Sequence, residues 1–394
     1  MSAIAGLENG WVRAEPALRA AAREAGGGLG DFGDAAWLEG FRRLLDAYDR
    51  ESHLTDMGRA MVWGELTNVL RNRILVERAV AECPVIRSHE IRRPIFILGL
   101  PRTGTTALHH LLAQDPGNQT LEFWLASAPK PRPPRSEWER HPHFQEALKT
   151  LEWMYTTDPS LKAVHLMTAD GPEECRHLLQ QTFMDDTFEC NATIPSYSAW
   201  YRRKDATRAY ARHRDVLRVI GSTTPERRWV LKYPSHLRHL RELFAVYPDA
   251  CIVQTHRDPS RVLASLSSLI AGWRALYEGE SDRKAIGRWQ LGLWTNTMAN
   301  ALAFRKKSDP KRFFDLDFRE IVFDAVGAAR RAYEHFGLDL TAEAECRLRS
   351  WRDANPQHKQ GEHRYDAADF DLAPDRVRDA FRPYFQHFGI TAEK

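Results

Sequence analysis

The segment Gly99-Leu100-Pro101-Arg102-Thr103-Gly104-Thr105-Thr106 has the glycine spacing of a phosphate-binding loop, and its cations decide which anion it can hold. Backbone N–H groups at the start of a helix point toward an anion, and the helix dipole adds roughly half a positive charge. A nucleoside triphosphatase carries a lysine for the β- and γ-phosphates where this chain has Thr105. Arg102 supplies the cation instead. Its planar guanidinium suits two oxygens of a shorter terminal group such as a phosphosulfate, with the hydroxyls of Thr103, Thr105 and Thr106 completing the cradle. The missing lysine argues against triphosphate chemistry, which also relies on a magnesium-binding acid at a neighbouring strand end.

A second constellation is Thr255-His256-Arg257-Asp258-Pro259, followed by Ser265 eight residues after Arg257. Asp258 can cap a helix that Pro259 opens. Arg257 would then stand at a strand's carboxyl end. Ser265 would lie about two turns into the helix, facing the crevice where open parallel sheets bind ligands.

Taken together, Pro101-Arg102-Thr103-Gly104-Thr105-Thr106 and the Arg257/Ser265 pair resemble the 5′-phosphosulfate and 3′-phosphate motifs of the sulfotransferase family. The resemblance covers about residues 94–320. It implies 3′-phosphoadenosine-5′-phosphosulfate as co-substrate, no metal, and transfer of a sulfuryl group to a hydroxylated small molecule. It also implies a lysine on the second long strand, which Lys232 matches. The accompanying histidine falls at His236, four residues on rather than two. Members with an arginine-type loop carry a glutamate about twenty residues later, and Glu122 lies 20 after Arg102. Glu122 is thus the first candidate for the base and His236 the second. Two departures stand out. Ala107 occupies the place of a tryptophan that stacks on adenine in animal members. The C-terminal phosphate loop is matched only loosely, by Gln357 to Arg364, which makes Lys359 and Arg364 candidate ligands. A turn at His165 and Asp170–Cys175 offers Glu173 as a further acid, although acids at a helix start also serve the dipole. No histidine and acid spacing reads as a metal site.

These residues need a scaffold. Apolar runs at Pro94–Leu98, Trp229–Lys232, Cys251–Thr255 and Phe313–Leu316, separated by helical patterns, predict an α/β fold: a P-loop-type parallel sheet with helices on both faces. Residues 1–90 read as a helical N-terminal region, its first 34 residues a loosely packed arm. Residues 91–394 read as the α/β domain, with a helical cap inserted at about 137–220. Within the cap, Phe183, Met184, Phe188, Tyr197, Trp200 and Tyr201 are either an apolar acceptor pocket or helix-packing core. The proline-rich Lys130–Arg135 reads as a surface loop.

A net charge of +3 over 394 residues gives nucleic-acid binding no global support. Five scattered cysteines form no metal or disulfide pattern. Neither a leader nor a bilayer-spanning run is evident, so a cytoplasmic protein is expected, with transient contact to membrane lipids left open. The competing readings are a small-molecule kinase and an inactive nucleotide-binding module.

Overall fold

Side-chain alternation along the strands explains the architecture. Phe96, Leu98, Leu231 and Ile252 face one buried cluster, whereas Ile95, Ile97, Val230, Val253 and Leu316 face another. A strand with both faces buried must be covered by helices on both sides. In the computed structural model, which describes residues 7, 10–28, 30–157, 159, 162, 167–355 and 366–393, that is the arrangement.

Five strands, β1 (Ile95–Gly99), β2 (Asn118–Gln119), β3 (Arg228–Lys232), β4 (Cys251–His256) and β5 (Phe313–Asp317), form a parallel sheet in the order β2-β3-β1-β4-β5. Four match the predicted apolar runs. The fifth, β2, is two residues long, too short for any periodicity to announce it. The helices Thr105–Leu112, Phe318–Phe336 and Ala342–Ala354 cover one face through Leu108, Leu111, Ala329, Tyr333 and Leu348. The helices Thr207–Ile220, Pro259–Glu278 and Arg283–Arg305 contribute to the other through Leu217, Leu263 and Trp294. Asp258 caps its helix as expected, accepting from the Ser260 N–H at 2.9 Å, with Pro259 in the first turn.

Two expectations need correction. The first 34 residues are not a loose arm throughout. Glu15–Ala25 is a helix whose Leu18 and Ala22 are buried, and Trp11 is buried beside Tyr48. Its apolar face is made largely of alanine, which hides it from a reading keyed to large side chains. The proline-rich loop is likewise only partly at the surface, because Arg132 points inward and is buried. The cap aromatics resolve toward packing. Phe183, Phe188, Tyr197 and Tyr201 are buried in one cluster with Trp37, Phe41 and Leu44 of the N-terminal helices, and Met184 and Trp200 pack against it. His165, Lys359 and Arg364 lie outside the described residues.

Candidate active site

β3, β1 and β4 end side by side, at the carboxyl edge where open parallel sheets hold ligands in a crevice. At Gly99 (φ 146°) a Cβ would meet the Thr255 carbonyl oxygen at 2.5 Å, so only glycine lets the two strand ends approach this closely. The chain then turns through Arg102, in the left-handed region at φ 64°, and Gly104 at φ 86°, and enters the helix at Thr105. A left-handed arginine persists only where its surroundings hold it there. Thr103 helps to do so. Its buried hydroxyl donates to the Leu100 carbonyl (2.6 Å) and shares a hydrogen bond with the Thr255 hydroxyl (2.5 Å). Thr103 therefore staples the loop, while the exposed Thr106 faces the next strand.

That strand delivers Lys232, whose side chain is only 3% exposed. Its Nζ donates to Thr106 Oγ1 at 3.2 Å and to Glu174 Oε1 at 2.5 Å. A buried ammonium needs such partners. The segment bearing Glu174 crosses between the strand ends. Glu122 and Pro172 form an antiparallel bridge, Glu173 N donates to the Leu121 carbonyl (2.6 Å), and Cys175 N donates to the Lys232 carbonyl (3.1 Å).

Glu122 is buried beside that segment. Arg132 Nε and Nη2 donate to its Oε2 at 3.2 and 3.0 Å. Arg132 is itself fixed by the Thr120 carbonyl (2.6 Å) and Gln119 Oε1 (2.7 Å). Burial pushes the Glu122 carboxyl above its ordinary range, and the Arg132 charge, pulling the other way, does not cancel it.

His236 sits deeper. Its Nδ1 meets the Tyr210 hydroxyl at 2.7 Å, and its ring stands edge-on to Phe96 at 5.0 Å. Burial, aided by the neighbouring His213 and His239, holds it well below the usual imidazole range. It clusters with Cys175 and His213 in the core rather than lying beside Lys232, because the 3-10 turn Pro234–His239 swings the chain inward after β3.

On the other flank, Arg257 follows β4 directly. Its Nη1 donates to the Arg102 carbonyl at 3.3 Å, which ties the two cationic motifs together. Its guanidinium lies over the Phe318 ring at 4.2 Å. Nε and Nη2 grip the Glu393 carboxylate at 2.9 and 3.0 Å. Ser265 is buried on the helix Pro259–Glu278.

A layer of buried charge runs between cap and core, and of its members only Glu173 was singled out from the sequence. Glu173 lies 3.7 Å from Arg176, Asp186 pairs with Arg238 and Ser235, and Glu189 is 3.3 Å from Arg238. Burial raises Asp185 to about 7, helped by Asp186 beside it. Glu65 is also raised to about 7 by burial, against hydrogen bonds from Gln180 (3.1 Å) and Asn191 (3.4 Å). Apart from Glu173 and Arg176, which are three positions apart, the pairs assemble from distant segments, so no local spacing marks them.

Comparison with known proteins agrees with this geometry. Residues 94–342 match the model of the sulfotransferase family. The omega-hydroxy-beta-dihydromenaquinone-9 sulfotransferase of Mycobacterium bovis is 27% identical over 296 residues, which are 71% of this chain and 69% of that one. A sulfotransferase structure from Mycobacterium tuberculosis superposes with a TM-score of 0.85 at 37% identity, covering 93% of this chain and 98% of the other. One from Mycobacterium avium gives 0.88 at 27% identity, covering 98% and 99%. With the matched region running from β1 past β5, the chain belongs to the sulfotransferase family and is an enzyme.

Proposed function

We propose that this enzyme moves a sulfuryl group from 3′-phosphoadenosine-5′-phosphosulfate to a hydroxyl of a small apolar acceptor, with hydroxylated quinols the first class to test. The observation that carries this reading is the junction of two cationic strand ends. The Arg102 loop and Arg257 meet through a 3.3 Å hydrogen bond, and Arg257 already holds a carboxylate, a stand-in for a 3′-phosphate. The quinol acceptor rests on likeness to the mycobacterial menaquinone sulfotransferase.

In this reading Arg102, the amides after Gly104 and the Thr105 and Thr106 hydroxyls bind the 5′-phosphosulfate, and Arg257 and Ser265 bind the 3′-phosphate. Lys359 and Arg364 remain candidate ligands. Glu122 accepts the acceptor hydroxyl's proton as the new O–S bond forms, a role its raised pKa favours. The electron pair of the broken S–O bond stays on the bridging phosphate oxygen. Lys232, held at the loop by Glu174 and Thr106, stabilises that oxygen's growing charge. His236 has no part in proton transfer. We read residues 1–90 as a helical region supporting a catalytic domain at 91–394. No helix among the described residues is long and apolar enough to cross a membrane, and a cytoplasmic enzyme working on a lipid-like acceptor fits that.

The test is transfer of label from ³⁵S-labelled donor to a panel of hydroxylated quinols, sterols and phenols. A labelled sulfate ester should appear together with one equivalent of adenosine 3′,5′-bisphosphate, without added magnesium. Consumption of ATP with magnesium and none of the donor would replace this reading with a kinase.

A further inference from the structure

The Arg257 guanidinium is not simply paired with the nearest acid. Glu393 reaches it from 136 positions along the chain and is placed by two further contacts. The Glu393 N–H donates to Asp258 Oδ2 at 2.8 Å, and Arg378 Nη2 donates to the Glu393 carbonyl at 2.7 Å. Arg378 also holds Asp258 Oδ2 at 3.0 Å, so the clip closes on the cap of the helix that follows the strand. The carboxylate thus presents two oxygens to Arg257 Nε and Nη2 in the fork geometry that a phosphate would use. One anion fills that fork at a time.

We propose that Glu393 is a built-in competitor of the donor's 3′-phosphate, and that donor binding displaces it. This inference rests on the assignment of Arg257 to the 3′-phosphate. A tethered carboxylate acts at a high effective concentration but carries one charge where the phosphate carries nearly two, so the ligand wins at a cost in affinity. Side-chain exposures of 25% for Arg257 and 28% for Glu393 leave the pair within reach of water, which allows exchange. The contact also covers the guanidinium between turnovers, and it narrows the preference for nucleotides that bring a 3′-phosphate, because only those must displace it.

Calorimetric titration of the full chain and of Glu393→Gln and Glu393→Ala, with adenosine 3′,5′-bisphosphate and with adenosine 5′-monophosphate, tests it. The bisphosphate should bind the variants about three- to ten-fold more tightly, the gain expected when a competing state is removed. Affinity for the monophosphate, which never contests Arg257, should not change. Hydrogen exchange at the Glu393 amide should quicken when the bisphosphate is added to the unmodified chain. Equal bisphosphate affinity in all three proteins overturns the inference while leaving the donor reading intact. If Arg257→Ala binds the bisphosphate as tightly as the unmodified chain, the 3′-phosphate assignment fails and the inference with it.

Discussion

At the scale of single residues, two candidates that looked alike in sequence part company. Glu122 and His236 each lie at a spacing from a phosphate-loop or strand cation that a resemblance makes meaningful, but burial treats them differently. For Glu122 it raises the pKa toward the range of a working base. For His236 it removes the proton and seats the ring among Phe96, Tyr210 and His213. We therefore expect Glu122→Gln to lower kcat by about 10² or more with KM for the donor nearly unchanged. His236→Asn should instead lower Tm and leave the pH profile of kcat in place. Loss of turnover and of an acid limb near pH 6 to 7 in His236→Asn, with Glu122→Gln active, would reverse the assignment. The places of Lys232 at the end of β3 and of Arg257 just after β4 were legible because the apolar runs before them mark the strands. Glu174 was not, because nothing in Glu173-Glu174 says which of two adjacent acids will reach a lysine 58 residues away.

Among the elements, the strands were read from their composition, since continuous apolar runs suit strands covered on both faces. Short elements escaped for the opposite reason. β2 has two residues, and the inward turn after β3 is a 3-10 helix of six. The loop Lys130–Arg135 shows what a composition rule misses. Its prolines keep it out of helix and sheet, yet Arg132 reaches back to Gln119, Thr120 and Glu122 and fixes the edge of the crevice. Both members of the Arg132–Glu122 pair are buried, so removing one strands a charge. Arg132→Met should destabilise the fold by about 3 kcal/mol, and adding Glu122→Gln should recover part of the loss. Chemical denaturation of the two single variants and the double variant measures the coupling. Purely additive losses would mean that the pair does not act as a unit.

Over the whole molecule, buried histidines couple stability to pH. Burial lowers His213 and His239 to about 3 and His143 to about 4, and holds His109 and His236 well below their usual range. Each stays neutral in the folded state where the unfolded chain, with a pKa near ~6.5, takes up a proton. Stability contributed this way is present above ~6.5 and is lost as pH falls toward the folded values. Glu65 and Asp185, raised to about 7, act in the opposite direction, protonated in the fold where the unfolded carboxyls are ionised. Glu122 and Glu189, also raised by burial, join these carboxyls, and His141 and His256, also lowered by it, join the histidines; seven groups outweigh four, so Tm should fall on going from pH 6.5 to 5. A flat or rising Tm in that window would show that the carboxyls prevail.

A crevice that holds a nucleotide by two separated phosphate sites, and lacks the lysine for a triphosphate, should tell the two kinds of nucleotide apart. Thermal unfolding with adenosine 3′,5′-bisphosphate, set against ATP with magnesium, tests it most directly. At about 100 times its dissociation constant the bisphosphate should add roughly 2.7 kcal/mol and raise Tm, an effect lost in Arg257→Ala, while ATP with magnesium shifts it far less. Equal shifts with the two nucleotides, or a larger one with ATP and magnesium, would mean that the crevice is not built for a 3′,5′-bisphosphate.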